Sequence, residues 1–133
     1  ENELSGLLDE MLKRLPKQEK YLDIKVSGSD IRLCCSDIVY AEHFAHIISI
    51  HTVAGKTLAT RQSFKVFTES LKEDPPLFFF CGRGVIVNLE QAEDFEADAF
   101  CMRDGSRVYV CQNLLKSARQ VFMEFLLQRG RIG

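Results

Sequence analysis

The sequence predicts a mostly β or α+β domain with helical ends. Three observations lead to this prediction. Apolar residues recur at helical spacing near both ends of the chain, apolar and polar residues alternate with a period of two over much of the interior, and turn residues separate the alternating runs. The predicted order is a helix, several short strands, a short helix, more strands and a final helix. Short strands bounded by turns are typical of antiparallel sheets.

The first predicted element is a helix over residues 4–15. Its apolar residues lie three or four positions apart and therefore on one helical face, and Pro16 ends the run. The polar stretch 17–20 is typical of a linker between modules. Residues 1–20 are therefore interpreted as a helical linker from a missing N-terminal domain, and residues 21–133 as the folded domain.

Short antiparallel strands are predicted from Tyr21 to Thr60. Leu22, Ile24 and Val26 alternate with polar neighbours, and a second alternating run follows the turn at residues 27–30. Residues 38–42 are rich in β-forming side chains and predict a buried strand. Residues 54–55, Ala-Gly, predict a two-residue hairpin turn between strands at 47–53 and 56–60.

A short helix and a second group of strands are predicted next. Ser63 is the predicted N-cap of the helix, and the residues 74–76, Asp-Pro-Pro, end it. The run 78–89 then consists of aromatic residues, Gly-Arg-Gly and β-branched residues, which predicts a strand, a tight loop that displays Arg83, and a strand. An exposed guanidinium suits a phosphate or a base edge, although an arginine between two glycines also serves as an ordinary solvated turn residue. Asn88, which closes the run, is assigned a structural role.

The C-terminal part predicts a hairpin and a helix. Asp104 and Gly105 predict a two-residue type I′ turn between strands at 99–103 and 107–110. Asn113 is the predicted N-cap of the last helix, which precedes Gly130. The apolar face of this helix consists of Leu114, Leu115, Ala118, Val121, Phe122, Phe125 and Leu126.

Composition limits the function classes. The five cysteines form no C-x-x-C pair, which argues against a zinc site or a complete disulfide framework and favours small buried side chains. No apolar stretch is long enough to span a bilayer and no signal peptide is evident, so we expect a cytoplasmic protein without membrane contact. Neither a phosphate-binding glycine loop nor a recognisable nucleophile is present, so we expect no enzyme activity, cofactor or metal. The net charge of −2 weakens a nucleic-acid hypothesis, although a local basic surface can coexist with it.

Four motifs occur in a fixed order. Residues 37–42 read D-I-V-Y-A-E and are followed by His46 and by I-H-T at 50–52; residues 61–65 read R-Q-S-F-K; residues 78–89 read F-F-F-C-G-R-G-V-I-V-N-L; and D-G at 104–105 precedes V-Y-V-C-Q at 108–112. Together they resemble the LytTR domain, the DNA-binding output module of many bacterial response regulators in two-component systems.

The resemblance implies an elongated antiparallel β fold of about ten short strands. Its loops would enter successive major-groove segments of double-stranded DNA. Carried over to this chain, the contacting side chains are His46, Arg83 and Gln112. For His46, a hydrogen-bonded loop histidine remains the alternative. Arg61 and Lys65 flank the start of the short helix and are candidates for phosphate contacts, or for solvated charges at a helix end.

Two motifs depart from the family pattern. The usual H-R-S is Gly-Arg-Gly at 82–84, and the usual S-R is Cys111 followed by Gln112, which removes a positive charge. These changes predict weaker DNA binding or a changed site preference, since glutamine can still recognise adenine.

The leading hypothesis is sequence-specific DNA binding by the output domain of a bacterial transcriptional regulator. This domain would be joined to a missing receiver or sensor domain, and a homodimer on repeated sites is compatible with the leucine face at residues 4–15. The alternative is a protein-interaction or sensing module of the same fold with weakened or lost DNA binding, because the net charge is acidic and the end helices are amphipathic.

Overall fold

The computed structural model describes residues 20–72 and 77–132. The predicted helix at 4–15, nearly all of its linker and the helix-ending residues 74–76 lie outside these ranges. Within them the chain forms ten strands and two α-helices, and every strand pairing is antiparallel. The predicted mostly β, α+β fold with about ten short strands, a short internal helix and a C-terminal helix is confirmed.

The elements follow one another in this order. They are β1 Tyr21–Val26, β2 Ser29–Cys34, β3 Ile38–Phe44, β4 Ile47–Thr52, β5 Thr57–Thr60, α1 Phe64–Ser70, β6 Phe78–Gly82, β7 Val85–Asn88, β8 Ala92–Glu96, β9 Ala99–Met102, β10 Arg107–Tyr109 and α2 Leu115–Ile132. Short 3-10 turns lie at Cys35–Asp37, Leu89–Gln91 and Gln112–Leu114.

A five-stranded sheet in the order β5-β4-β3-β7-β6 forms the centre of the fold. Side chains alternate between the two faces of a strand, so consecutive residues of this sheet pack into two different hydrophobic clusters. Ile86 belongs to a cluster with α1 and the two-stranded sheet β1-β2. Val85 and Val87 pack in a second cluster with α2 and the three-stranded sheet β10-β9-β8. The central sheet is therefore covered on both faces.

Each helix contributes its apolar face to one of these clusters. Ser63 caps α1 as predicted, because its Oγ accepts a hydrogen bond from the Val66 N–H at 3.4 Å. Phe122 of α2 meets Phe100 edge to face, with ring centroids 5.6 Å apart. Neither described helix combines the length and the apolar character needed to cross a membrane.

The predicted N-cap of the second helix is wrong. Asn113 lies inside the 3-10 turn Gln112–Leu114, and α2 begins only at Leu115. The Leu114 N–H donates to the Cys111 carbonyl at 2.8 Å, so the main chain is already turning before the α-helix starts. The Leu115 N–H, which a side chain of Asn113 could have capped, donates instead to the Gln112 carbonyl.

The predicted two-residue turn at Asp104 and Gly105 is also wrong. The Met102 N–H donates to the Ser106 carbonyl at 2.8 Å, and the Gly105 N–H donates to the Met102 carbonyl at 2.9 Å. These bonds enclose three residues rather than two. A type I′ turn needs positive φ at both central residues, whereas here the glycine alone adopts it, at +94°.

The hairpin between β4 and β5 departs from the prediction in the same way. The Thr52 N–H donates to the Lys56 carbonyl at 2.9 Å, and the Gly55 N–H donates to the Thr52 carbonyl at 3.0 Å. Ala54 and Gly55 therefore lie in a three-residue loop, in which Gly55 takes the positive φ of +85°.

The structural role predicted for Asn88 agrees with its contacts. The side chain is fully buried, its Nδ2 donates to the Ile38 carbonyl at 2.8 Å, and its Oδ1 accepts from the Glu90 N–H at 2.9 Å. One amide therefore joins β3, the end of β7 and the following 3-10 turn.

Removing this amide is expected to destabilise the fold. Asn88→Ala leaves the buried Ile38 carbonyl without its partner and should lower the free energy of unfolding by about 1–3 kcal/mol. Urea denaturation measures the change. Asn113→Ala, at an exposed position, is the matched control and should change it by less than about 0.5 kcal/mol. Equal effects of the two substitutions would contradict the structural assignment.

Candidate nucleic-acid interface

Three chain segments meet at one end of the central sheet. Phe44 pairs with Ile47 around the β3–β4 turn, and Gly82 pairs with Val85 around the β6–β7 turn. Thr60, the last residue of β5, pairs with Ile48 near the same end. The register therefore brings the β3–β4 turn, the β6–β7 turn and the exit from β5 to one edge of the molecule.

Gly84 holds the β6–β7 turn against β3. Its carbonyl accepts a hydrogen bond from the His43 N–H at 2.7 Å, and its φ is +74°. A Cβ atom at this position would lie 3.1 Å from the His43 carbonyl oxygen. Only a glycine permits both this conformation and this close approach without strain.

Gly82 has the same role on the other side of the turn. The Cys111 N–H donates to the Cys81 carbonyl at 2.9 Å, which brings the segment after β10 against β6. A Cβ on Gly82, whose φ is +94°, would collide with the Cys111 Sγ and lie 3.0 Å from the Cys111 Cβ. The two departures from the LytTR pattern, at 82 and at 111, are therefore neighbours in the fold.

Arg83 and Gln112 line one open cleft of about 410 Å³. Both side chains are exposed, and within the described part of the chain neither the guanidinium nor the side-chain amide makes a hydrogen bond or an ion pair. The other lining residues are Tyr40, Glu42, Gly82, Val85, Arg107, Val108, Tyr109, Val110 and Cys111. The cleft thus presents two unengaged hydrogen-bonding groups.

Other charged side chains of the cleft are already engaged. The Glu42 carboxylate lies 3.0 Å from Nε2 of His51, whose ring stacks on Tyr40 at 4.2 Å between centroids. Arg107 is 3.6 Å from the Glu96 carboxylate, in an exposed pair. Exposed ion pairs of this kind contribute little to the stability of the fold. Their main effect here is to position the charged groups.

His46 lies on the neighbouring turn and is exposed. Ala45 and His46 have φ values of +52° and +69°, and Arg83 has a φ of +54°. Two-residue hairpin turns of type I′ require positive φ at both central residues, and Ser27 and Ala97 adopt it in other turns of this chain. The strand register on both sides fixes these turns and holds the three residues in this conformation.

Arg61 and Lys65 differ in their placement. Arg61 directly follows β5 and is exposed at the same end of the sheet as His46 and Arg83. Lys65, on α1, lines a second depression together with Ile86. Because Ile86 and the cleft residue Val85 point to opposite faces of the sheet, Lys65 does not share the cleft.

Sequence reasoning missed Arg107 and Tyr109 in the cleft. Both are exposed on β10 and flank the buried Val108. The alternation of Arg107 and Tyr109 with Val108 in the sequence indicates that both side chains face outward, but not which residues lie beside them. That this face borders Arg83 follows from the pairing of distant strands.

The thiol of Cys81 is an unsuitable nucleophile. Burial raises its pKa to about 12, with a further contribution from Cys111. The protonated thiol is weakly nucleophilic, so at neutral pH this side chain serves packing. Cys35 is also buried, whereas Cys34, Cys101 and Cys111 are half-buried.

The raised pKa of Cys81 predicts a loss of stability in alkali. Above pH 9, the ordinary pKa of this thiol, the unfolded chain ionises while the folded chain keeps the proton, so rising pH favours unfolding. The free energy of unfolding should fall by up to about 1.4 kcal/mol per pH unit from this group. Denaturation curves between pH 7 and 10.5 measure the slope, and Cys81→Ala should flatten it. An unchanged slope in this variant would contradict the assignment.

The packing of Gly82 against Cys111 predicts a large cost for a side chain there. Gly82→Ala combines the conformational cost of positive φ with a collision, and the collision should add about 1–3 kcal/mol to the loss of unfolding free energy. Gly105→Ala is the matched control, since Gly105 has the same φ of +94° and no neighbouring atom within 4 Å. Chemical denaturation of both variants separates the conformational cost of positive φ from the cost of the collision with Cys111. Equal losses would mean that the contact with Cys111 is unimportant.

Comparison with known proteins identifies the family. A family model of the LytTr DNA-binding domain matches residues 28–123. No curated protein matches the chain. Among solved structures, the LytTr DNA-binding domain of a Bacillus cereus protein described as a methyl-accepting/DNA response regulator aligns with a TM-score of 0.63 and 22% identity, over 78% of this chain and 97% of that chain. The strand order, the four motifs and the family match agree, and the chain belongs to the LytTr family of DNA-binding domains.

Proposed function

We propose that this chain binds duplex DNA in a sequence-specific manner through the end of its central sheet, as the output domain of a bacterial transcriptional regulator. The observation that carries the proposal is the pair of main-chain hydrogen bonds around the β6–β7 turn. One joins this turn to β3, next to His46, and the other joins β6 to the segment that contains Gln112. Three loops from distant parts of the sequence are thereby held side by side.

Each exposed side chain has a role that fits its chemistry. The planar guanidinium of Arg83 suits bidentate contact with O6 and N7 of guanine, or with phosphate. Gln112 suits adenine, whose N6 and N7 match an amide donor and acceptor. His46 would contact a base or the backbone, and Arg61 would contact phosphate. Recognition by these groups is non-covalent throughout.

Lys65 is assigned a secondary role. It lies on the face of the central sheet opposite the cleft. A phosphate contact there requires a duplex that extends beyond the sheet end or bends around it. Its contribution to affinity should therefore be smaller than that of Arg61.

The charge distribution predicts a modest electrostatic contribution to binding. Arg107 is paired with Glu96, and Glu42 places a carboxylate in the cleft. Glu93 and Asp94 within β8 carry further exposed carboxylates. With few free cations to neutralise phosphates, affinity would depend mainly on base contacts and would respond weakly to salt.

The domain would act through a partner domain in the same polypeptide. Residues 1–20 are proposed to link it to a receiver or sensor domain, because the helix predicted from the sequence at 4–15 would have an apolar face that needs a covering surface. A homodimer on repeated half-sites would be compatible with this arrangement.

One observation favours the alternative, a protein-interaction module. Met123, Leu126 and Leu127 on α2 are 56%, 47% and 65% exposed, and Met123 precedes the two leucines by three and four residues. Such a stripe suits the apolar surface of another protein. The two functions differ in their response to nucleic acid, and DNA binding at low salt decides between them.

The decisive experiment selects bound sequences from a random duplex pool and measures their Kd by fluorescence anisotropy at several salt concentrations. DNA binding predicts a selected consensus and a slope of log K against log salt of roughly −2 to −4, which corresponds to a few phosphate contacts. Absence of binding at low salt, where counterion release favours it most, would reject the proposal and favour the interaction module.

Arg83→Ala is the most informative variant on the selected site. If the guanidinium contacts a guanine, the substitution should weaken binding by about 1–3 kcal/mol and relax the preference at one base pair. Arg32→Ala removes a similar charge from β2, where Arg32 is exposed and 3.4 Å from Asp23. This control should leave Kd nearly unchanged. Wild-type affinity of Arg83→Ala would remove this residue from the interface.

A further inference from the structure

Phe44 is the most exposed large apolar side chain in the described ranges. Its exposure is 83%, although it lies within a strand of the central sheet. It immediately precedes the β3–β4 turn formed by Ala45 and His46. The largest exposed aromatic surface thus lies at the end of the molecule that carries the proposed DNA contacts.

The strand register places Phe44 beside the β6–β7 turn, which carries Arg83. Along β3 and β7, Tyr40 pairs with Val87 and Glu42 pairs with Val85, and the His43 N–H then reaches the Gly84 carbonyl. Phe44 is the next residue and the last of β3, so it lies at the end of the strand that contacts this turn. Since side chains alternate along a strand, Phe44 lies on the same face as Tyr40 and Glu42, which line the cleft.

His43, the residue before Phe44, holds the backbone at this end of β3 in place. The His43 ring stacks on Phe64 at 5.4 Å between centroids, and its N–H bonds to Gly84 at 2.7 Å. Phe64 in turn packs against Phe80, with ring centroids 6.0 Å apart. Phe44 is therefore an exposed ring on a fixed backbone, which suits a contact that depends on position.

We propose that Phe44 determines specificity by packing against the 5-methyl group of a thymine, close to the base pair that Arg83 contacts. This inference rests on the proposed DNA-binding function. The thymine methyl is the main apolar group in the major groove, and aromatic side chains pack against it. Neighbouring strands lie about 4.8 Å apart and successive base pairs about 3.4 Å apart, so the two contacts fall one or two base pairs from each other.

Deoxyuridine tests this contact, because it differs from thymidine only by the missing methyl group. Each thymine of the selected site is replaced in turn, and Kd is measured for the full chain and for Phe44→Ala. The wild type should lose about fourfold in affinity at one thymine, as expected when one methyl group is no longer buried. Phe44→Ala should bind the thymine and uracil versions of that site equally well.

Controls separate this contact from general effects. Leu127→Ala removes another side chain that is 65% exposed, on α2, and should keep the wild-type response to uracil. Phe44→Leu keeps an apolar contact and should keep part of the response. Unfolding curves of Phe44→Ala should match the wild type, because an exposed ring adds little to stability.

The outcomes distinguish the two proposals. A wild-type chain that binds no duplex overturns both the DNA-binding function and this contact. A wild-type chain that binds its selected site with equal affinity for thymine and uracil at every position overturns the Phe44 contact alone. A fourfold loss that persists in Phe44→Ala also overturns it, because the methyl group would then be contacted by another residue.

Discussion

Two main-chain hydrogen bonds around the β6–β7 turn organise the surface of this domain. The His43 N–H reaches Gly84 at 2.7 Å, and the Cys111 N–H reaches Cys81 at 2.9 Å. Both glycines beside Arg83 have positive φ, and a Cβ would collide with Cys111 at position 82 and lie 3.1 Å from the His43 carbonyl oxygen at position 84. Their surroundings therefore favour glycine at both positions. The positions of the β3–β4 turn, the arginine and the segment after β10 all depend on these contacts.

The fold explains why glycines flank Arg83 in the Gly-Arg-Gly sequence. Taken alone, it lacks the histidine and serine that the LytTR pattern leads one to expect. In the structure, Gly82 makes room for the half-buried Cys111, so the two departures complement each other in space. The tip lacks two hydrogen-bonding side chains, and its backbone is joined to β3 by the bond between the His43 N–H and the Gly84 carbonyl.

Much of the fold was predictable because it depends on local patterns. Alternation identified most of the strands, Ser63 was recognised as a helix cap, and Asn88 was recognised as a structural residue. The turns were less predictable, since loop length depends on how two strands align. At Gly105 the pairing of Met102 with Ser106 encloses three residues, although the local sequence favours two. Asn113 was mistaken for a cap because a backbone carbonyl replaced it.

The sequence by itself determined the fold class, the family motifs and the identity of Arg83, His46 and Gln112 as candidate contacts. The fold class follows from spacing along the chain, which local physical preferences translate into strands, turns and helices. The candidate contacts follow from the resemblance to the LytTR domain. Only the tertiary structure decided which candidates share a surface: Arg83 and Gln112 line one cleft, Lys65 lies on the other face of the sheet, and Phe44 follows the residue that bonds to the β6–β7 turn. These neighbours are far apart in sequence. Their proximity comes from strand pairing and from the absent side chains of two glycines, which no local pattern encodes.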